Sequence, residues 1–236
     1  MIIECIGLPG SGKKELIGLV EKELKRREVD YVNVSEGFRH RVGWKLLRVI
    51  AGVLIYLSAD ARWLRDRLQG ILAGEGEKER HGVYKNDRGA IRSIALYAYW
   101  YRRMIRSHRL YLFDEGMVHS LILLCADRRV SDPAFRKIVL ASEKGIRSAR
   151  LVIFNEISAE ESMAALEGGD KRYDVFNRTA GERDVILKEY ERFLEAYRTN
   201  FRVLEVSRQD GNRKNLARVF GRIRQILSEA GDRGGR

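Results

Sequence analysis

The sequence is poor in proline and cysteine, and it has no long hydrophobic run. Only two of its 236 residues are proline, which excludes a proline-rich or collagen-like chain. The two cysteines, Cys5 and Cys125, lack metal-ligand spacing, so we expect two buried, reduced thiols in a cytoplasmic protein. The longest apolar run, residues 49–57, is nine residues long, whereas a membrane span needs about 20. The N-terminus shows no basic segment or cleavage site, so no signal peptide is expected.

Acidic residues are outnumbered by basic ones. The chain has 45 Lys and Arg against 33 Asp and Glu, a formal net charge of +12. This surplus predicts an anionic partner, which includes nucleotide phosphates, nucleic acid or an anionic membrane surface. With 44% apolar and 9% aromatic residues, the composition is that of a globular protein. The length favours one domain over residues 1–236.

Short apolar runs alternate with longer helical patterns, which predicts an α/β fold with a parallel sheet. The candidate strands are residues 2–6, 31–34, 110–113, 151–154 and 201–206. Residues 35–109 interrupt the alternation and predict a helical insertion after the second strand, with helices over 44–57, 60–73 and 88–108. Capping boxes at Ser158 with Glu161 and at Thr179 with Glu182 predict two further helix starts.

A glycine-rich segment follows the first strand and precedes an amphipathic helix. It fits seven of the eight positions of the phosphate-loop pattern G-x-x-x-x-G-K-[S/T]. Glycines let successive backbone N–H groups converge on phosphate oxygens, and the helix N-terminus favours the anion. The candidate nucleotide-binding residues are Gly7, Pro9, Gly10, Ser11, Gly12, Lys13 and Lys14. Lys14 departs from the pattern, because a protonated lysine cannot ligate a metal as a hydroxyl does.

The chain resembles the P-loop small-molecule kinases, the group that contains thymidylate, adenylate and deoxynucleoside kinases. The resemblance rests on the loop from Gly7 to Lys13, the strand intervals, the helical region after the second strand and an arginine-rich segment after the fourth. It implies a P-loop NTPase fold, with a five-stranded parallel sheet in the order 2-3-1-4-5 flanked by helices. It also implies an acceptor-binding role for residues 35–109, a lid at residues 168–183, and ATP and Mg²⁺ as cofactors.

Three carboxylates stand at strand ends. Asp114 and Glu115 close the third strand, where a P-loop kinase places a metal-binding acid, so both are candidate Mg²⁺ ligands. Glu115 occupies the position of an arginine in the kinases that the chain resembles, and it would compensate for the hydroxyl missing at Lys14. Glu36 ends the second strand, where deoxynucleoside kinases place a catalytic glutamate that faces the acceptor hydroxyl. A helix-capping or solvated loop acid is the alternative for each.

Basic residues cluster between the fourth and fifth strands. Arg172, Arg178 and Arg183 correspond to lid arginines of the resembling kinases, and each would neutralise charge on the transferring phosphoryl group. An exposed arginine without a functional role is the alternative for each. Further cations in residues 35–109 favour an acceptor that is itself anionic.

The sequence therefore predicts ATP-dependent phosphoryl transfer to a small acceptor, such as a nucleoside monophosphate or a nucleoside, and its cations favour an anionic one. Three alternatives stay open: a nucleotide-binding protein without turnover, a sulfotransferase-like enzyme that uses a 3′-phosphoadenosine donor, and a nucleic-acid end kinase. No motif for nucleic-acid binding supports the last of these. Among the four histidines, only His119 lies near the presumed site, and we expect it to be an ordinary helix residue.

Overall fold

The computed structural model describes residues 1–34, 58–76, 87–107, 109–143, 150–167 and 180–234. One sheet contains the strands β1 (Ile2–Ile6), β2 (Tyr31–Asn33), β3 (Leu110–Phe113), β4 (Arg150–Glu156) and β5 (Leu204–Ser207). The helices are α1 (Lys13–Arg26), α2 (Ala59–Ala73), α3 (Asp87–Ile105), α4 (Met117–Arg128), α5 (Asp132–Glu143), α6 (Ala159–Glu167), α7 (Ala180–Asn200) and α8 (Asn212–Gly234). A 3₁₀ turn, Arg208–Asp210, leads from β5 into α8.

The five strands are parallel and lie in the order β2-β3-β1-β4-β5. This is the predicted order, and α2 and α3 between β2 and β3 confirm the helical insertion. Strand β1 lies between β3 and β4, so the loops that follow these three strands meet at one edge of the sheet. Ligands of open α/β sheets bind at this edge, where the strand order reverses.

Both faces of the sheet are covered. Successive residues of a strand point to opposite faces. Ile3 and Cys5 accordingly pack with residues of α1 and α8, while Ile2 and Ile6 join a larger cluster with residues of α2, α3, α4, α5 and α7. Burial on both faces explains why the central strands read as continuous apolar runs. None of the helices in the described ranges is long and apolar enough to cross a membrane.

Two predicted boundaries were wrong by three residues, and the other strand ends differ from prediction by at most two. Strand β5 begins at Leu204 and not at Phe201, because Phe201 extends the end of α7. The N–H of Phe201 donates to the carbonyl oxygen of Tyr197 at 2.9 Å, and the two rings stack with centroids 4.9 Å apart. Helix α3 ends at Ile105, before the predicted 108, because tight backbone turns at Arg106 and Ser107 lead the chain towards β3.

The predicted capping box at the start of α6 is confirmed. The N–H of Glu161 donates to the hydroxyl of Ser158 at 3.1 Å, and the N–H of Ser158 donates to the Glu161 carboxylate at 2.9 Å. The helix predicted over residues 44–57 and the Thr179 cap lie outside the described residues.

Candidate active site

The loop between β1 and α1 has a backbone that requires its glycines. Gly7, Gly10 and Gly12 have φ values of 150°, 78° and 82°, which residues with a side chain rarely adopt. A Cβ at Gly7 would also lie 2.5 Å from the carbonyl oxygen of Asn155. The loop ends at the N-terminus of α1, where backbone N–H groups lack helical acceptors and can bind an anion.

The two lysines of the loop have different environments. Lys13 is 7% exposed, and its Nζ donates to the carbonyl oxygens of Gly7 and Leu8, at 3.0 Å each. Burial lowers the pKa of Lys13, and the negative charge of Glu115 acts against that shift. Lys14 is exposed at the start of the same helix. The predicted phosphate-binding lysine is therefore inside the loop, whereas its neighbour lies at the surface.

Asp114 and Glu115 follow β3, which is the direct neighbour of β1 in the sheet. Asp114 is buried, and Glu115 is partly exposed. Both carboxylates act electrostatically on Lys13. The structure therefore brings the predicted lysine and the two predicted acids together, although they lie about a hundred residues apart in sequence.

Two residues that sequence reasoning missed hold the phosphate loop. Asn155, near the end of β4, donates from its side-chain amide to the carbonyl oxygen of Ser11. Ser162 of α6 donates from its hydroxyl to the carbonyl oxygen of Pro9, at 2.7 Å. Both side chains donate to carbonyl oxygens of the loop. Both follow or belong to β4, on one side of β1 in the strand order, whereas the acidic turn follows β3 on the other side. For Asn155 the sequence holds a weak signal, a polar residue near the end of an apolar strand.

A buried polar cluster, also missed, lies next to the acidic turn. Glu4 of β1 is fully buried and accepts hydrogen bonds from the N–H of Val118, at 2.6 Å, and from the hydroxyl of Tyr101, at 2.9 Å. The Arg150 guanidinium lies 3.9 Å from Glu4 and also pairs with Glu143. Burial raises the pKa of Glu4, and the charge of Arg150 acts against that shift. A glutamate within an apolar strand was the available signal.

His119 is tied to the acidic turn more closely than the sequence indicates. Its Nδ1 lies 2.6 Å from the hydroxyl oxygen of Tyr190 on α7, and its Nε2 lies 3.9 Å from a carboxylate oxygen of Glu115. Burial lowers the pKa of His119. A chain of polar contacts thus runs from α7, the helix after the predicted lid, to Glu115.

The remaining predicted residues are only partly described. Arg183 lies in the first turn of α7, half-buried, and its Nε has no hydrogen-bond partner within the described ranges. Glu36, Arg172 and Arg178 lie outside the described residues. Their places at the site therefore stay predictions.

The fold has solved counterparts. A deoxyadenosine kinase from M. mycoides with bound dATP superposes with a TM-score of 0.53 at 12% sequence identity, over 95% of this chain and 99% of that one. The same kinase with dCMP and a flexible dCDP bound gives a TM-score of 0.51 at 10% identity, over 95% and 100% of the two chains. No protein-family model matches the sequence, and neither does any curated protein.

At this level of identity the likeness establishes the fold. The chain has the P-loop NTPase fold, with the sheet order and the phosphate loop that the sequence predicts. The architecture that the family resemblance implies is therefore confirmed.

Proposed function

We propose that the protein is a kinase that transfers the γ-phosphoryl group of ATP to a small acceptor, such as a nucleoside monophosphate or a nucleoside, with the basic surplus of the chain favouring an anionic one. The observation that carries this proposal is the meeting of a glycine loop, a buried lysine and two carboxylates at neighbouring strand ends. The superposition with a deoxyadenosine kinase over 95% of the chain supports phosphoryl transfer over other uses of a P-loop.

The loop and Lys13 bind the nucleotide in this proposal. Backbone N–H groups of Gly10 to Gly12 and the N-terminus of α1 take the phosphate oxygens. The ammonium of Lys13 now satisfies two loop carbonyl oxygens, and phosphates would replace them as its partners. Because the group is already desolvated, its charge acts on the phosphates with little screening by water.

The acidic turn suits Mg²⁺, which prefers oxygen ligands and retains several waters. Asp114 is buried beside the loop lysine, and Glu115 adds a second carboxylate where position 14 lacks a hydroxyl. The described residues contain no group of three potential metal-ligating side chains. Asp114 and Glu115 would therefore hold the ion with water and phosphate oxygens, and the bound ion would neutralise charge on the phosphates.

The acceptor and the lid complete the proposed site. Glu36 would accept the proton of the attacking hydroxyl, and residues 35–109 would bind the acceptor. Arg172, Arg178 and Arg183, within a lid at residues 168–183, would neutralise charge that develops on the transferred group. The Nε of Arg183 has no hydrogen-bond partner among the residues that the structure describes, which fits a guanidinium whose partner arrives with the substrate. Two buried free thiols support a cytoplasmic site of action.

The test is conversion of ATP to ADP against a panel of nucleosides, nucleoside monophosphates, sugars and oligonucleotide ends, with and without Mg²⁺. We expect Mg²⁺-dependent turnover with one acceptor class, lost in Lys13→Ala and kept in Lys22→Ala, an exposed lysine of the same helix. A sulfotransferase-like enzyme would not convert ATP to ADP, so that alternative is tested separately, by metal-free sulfuryl transfer from 3′-phosphoadenosine 5′-phosphosulfate to the same panel of acceptors.

Exposed Lys14 gives the non-catalytic alternative its specific support. A site that binds nucleotide without turnover does not need the metal-binding hydroxyl, so it would tolerate a lysine at this position. Tight ATP binding together with no turnover for any acceptor in the panel would make this the better assignment.

A further inference from the structure

Glu4 is a charged residue at the centre of the sheet. It lies on β1 between two apolar neighbours, is 0% exposed and faces the side of the sheet that carries α3 and α4. Three hydrogen-bond donors and one cation surround its carboxylate. The donors are the N–H groups of Val118 and His119, at 2.6 and 3.3 Å, and the hydroxyl of Tyr101, at 2.9 Å. The cation is the guanidinium of Arg150, which forms an ion pair with Glu4 at 3.9 Å.

The donors from Val118 and His119 belong to the first turn of α4. The first amides of a helix have no acceptor within the helix, and a side chain at the N-cap usually supplies one. The N-cap of α4 is Gly116, which has no side chain. Glu4 therefore caps this helix from another strand, with a carboxylate that also suits the positive end of the helix dipole.

Gly116 and Glu4 are complementary. A Cβ at Gly116 would lie 2.3 Å from the hydroxyl of Tyr101 and 2.7 Å from the carboxylate carbon of Glu4. The backbone φ of Gly116 is −133°, so the glycine is needed for space and not for an unusual conformation. The close approach of the helix N-terminus to β1 thus depends on both residues.

This contact joins the two halves of the proposed site. Glu4 lies three residues before Gly7 on β1, and its register partner on β3 is Phe113, the residue before Asp114. The acidic turn is therefore held at its start by the pairing of β3 with β1 and at its end by the bond from α4 to Glu4. Both ends of the acidic turn are thus attached to β1, and β1 leads into the phosphate loop. These attachments fix the position of the turn relative to Lys13.

We propose that Glu4 is a positioning residue that sets Asp114 and Glu115 relative to the phosphate loop, by capping α4 from β1. It touches no substrate, and its effect on turnover rests on the proposed function. Tyr101 extends the contact to α3, because its hydroxyl accepts from the N–H of Met117 at 3.2 Å and so directs its own proton to Glu4.

The first test measures the cap itself, by amide hydrogen exchange in wild type and Glu4→Gln. We expect the amides of Val118 and His119 to exchange about tenfold faster in the variant, because a neutral acceptor replaces a charged one. Amides in the middle of α4, such as that of Leu124, serve as internal references. Unchanged exchange at Val118 and His119 would overturn the proposal. Glu4→Asp, which keeps the charge and shortens the reach, gives the same test if the Gln variant does not fold.

The second test measures positioning. Glu143→Gln is the matched control, because Glu143 is also a buried carboxylate paired with Arg150, and it lies at the end of α5. In Glu4→Gln we expect kcat for Mg²⁺-dependent turnover to fall at least about tenfold, while metal-free ATP affinity stays within about twofold. We expect neither change in Glu143→Gln.

The outcomes separate the two proposals. An equal loss of kcat in both variants would show a general effect of the buried cluster and overturn the positioning role. Faster exchange with unchanged kcat would show a cap without positioning and overturn it as well. If the wild type turns over no acceptor, the proposed function fails. The Mg²⁺ dependence of ATP binding in Glu4→Gln then decides between positioning, which weakens it, and a cap alone, which leaves it unchanged.

Discussion

The hydroxyl of Ser162 donates a hydrogen bond of 2.7 Å to the carbonyl oxygen of Pro9, across 153 residues of sequence. Ala165, one turn further along α6, packs against Gly10. A Cβ atom at position 10 would lie 2.7 Å from the Cβ of Ala165. Helix α6 thus rests on the tip of the phosphate loop. The helix ends at Glu167, one residue before the segment predicted as a lid.

Removal of the Ser162 hydroxyl should weaken nucleotide binding. We expect Ser162→Ala to lower ATP affinity about three- to tenfold, since one hydrogen bond that fixes the loop is lost. Isothermal titration measures the affinity. Ser142→Ala is the control, because Ser142 is also buried and its hydroxyl donates to a helix carbonyl oxygen in α5, at 2.9 Å. Equal ATP affinity in Ser162→Ala and the wild type would show that the loop holds its shape without α6.

An alanine at Gly116 should destabilise the fold. Its Cβ would enter the space between Tyr101 and Glu4, and overpacking of a buried site costs about 1–3 kcal/mol. Gly221→Ala is the control, because Gly221 lies on an exposed part of α8 where a Cβ would meet no atom within 4 Å, and there alanine should stabilise by about 0.5–1 kcal/mol. Urea unfolding of both variants measures the changes. If Gly116→Ala and Gly221→Ala changed the unfolding free energy by similar amounts in the same direction, the close approach of β1 to α4 would be contradicted.

The sequence predicted those features that depend on local patterns. Apolar runs placed the strands, the glycine spacing placed the phosphate loop, and the acids after an apolar strand placed Asp114 and Glu115 beside Lys13. The sheet order came from the family resemblance, because strand pairing across more than a hundred residues is not written in any local pattern.

The missed features are those whose partners are distant in sequence. Glu4 and Tyr101 lie 97 residues apart, and Asn155 and Ser11 lie 144 apart. A single glutamate in a strand shows that a buried charge needs partners, but nothing local identifies them. Phe201 was predicted to begin a strand as part of a short apolar run, whereas its stacking on Tyr197 keeps it with α7.

Replacement of Lys14 by threonine should restore the hydroxyl that the loop pattern contains. We expect Lys14→Thr to lower the Mg²⁺ concentration needed for half-maximal turnover, or to raise kcat, because a ligand is gained and a positive charge beside the ion is removed. Lys22→Thr, on the exposed face of the same helix, controls for the charge alone. Loss of turnover in Lys14→Thr, with Lys22→Thr unaffected, would show that Lys14 itself contacts phosphate or substrate.

The ionisation of Glu4 should make stability depend on pH. Burial raises the pKa of Glu4 above its usual value of 4.5, and the opposing contributions come from Arg150, Tyr101 and the amides of Val118 and His119. A carboxyl whose pKa is higher in the folded than in the unfolded state binds its proton more tightly when folded. Its contribution to stability is therefore largest below about pH 4.5 and declines as pH rises through the folded-state pKa.

Glu4→Gln removes this dependence and keeps the side-chain shape. We expect the unfolding free energy of wild type minus that of Glu4→Gln to fall as pH is raised from 4 to 8, with a slope of at most about 1.4 kcal/mol per pH unit. Denaturant unfolding at several pH values measures the difference, and comparison with the variant cancels the titrating groups that do not interact with Glu4. A difference that rises with pH would mean that Arg150 and the helix amides outweigh desolvation and hold the pKa of Glu4 below its usual value. In that case the charged cap of α4 would stabilise the fold at neutral pH as well as place the acidic turn.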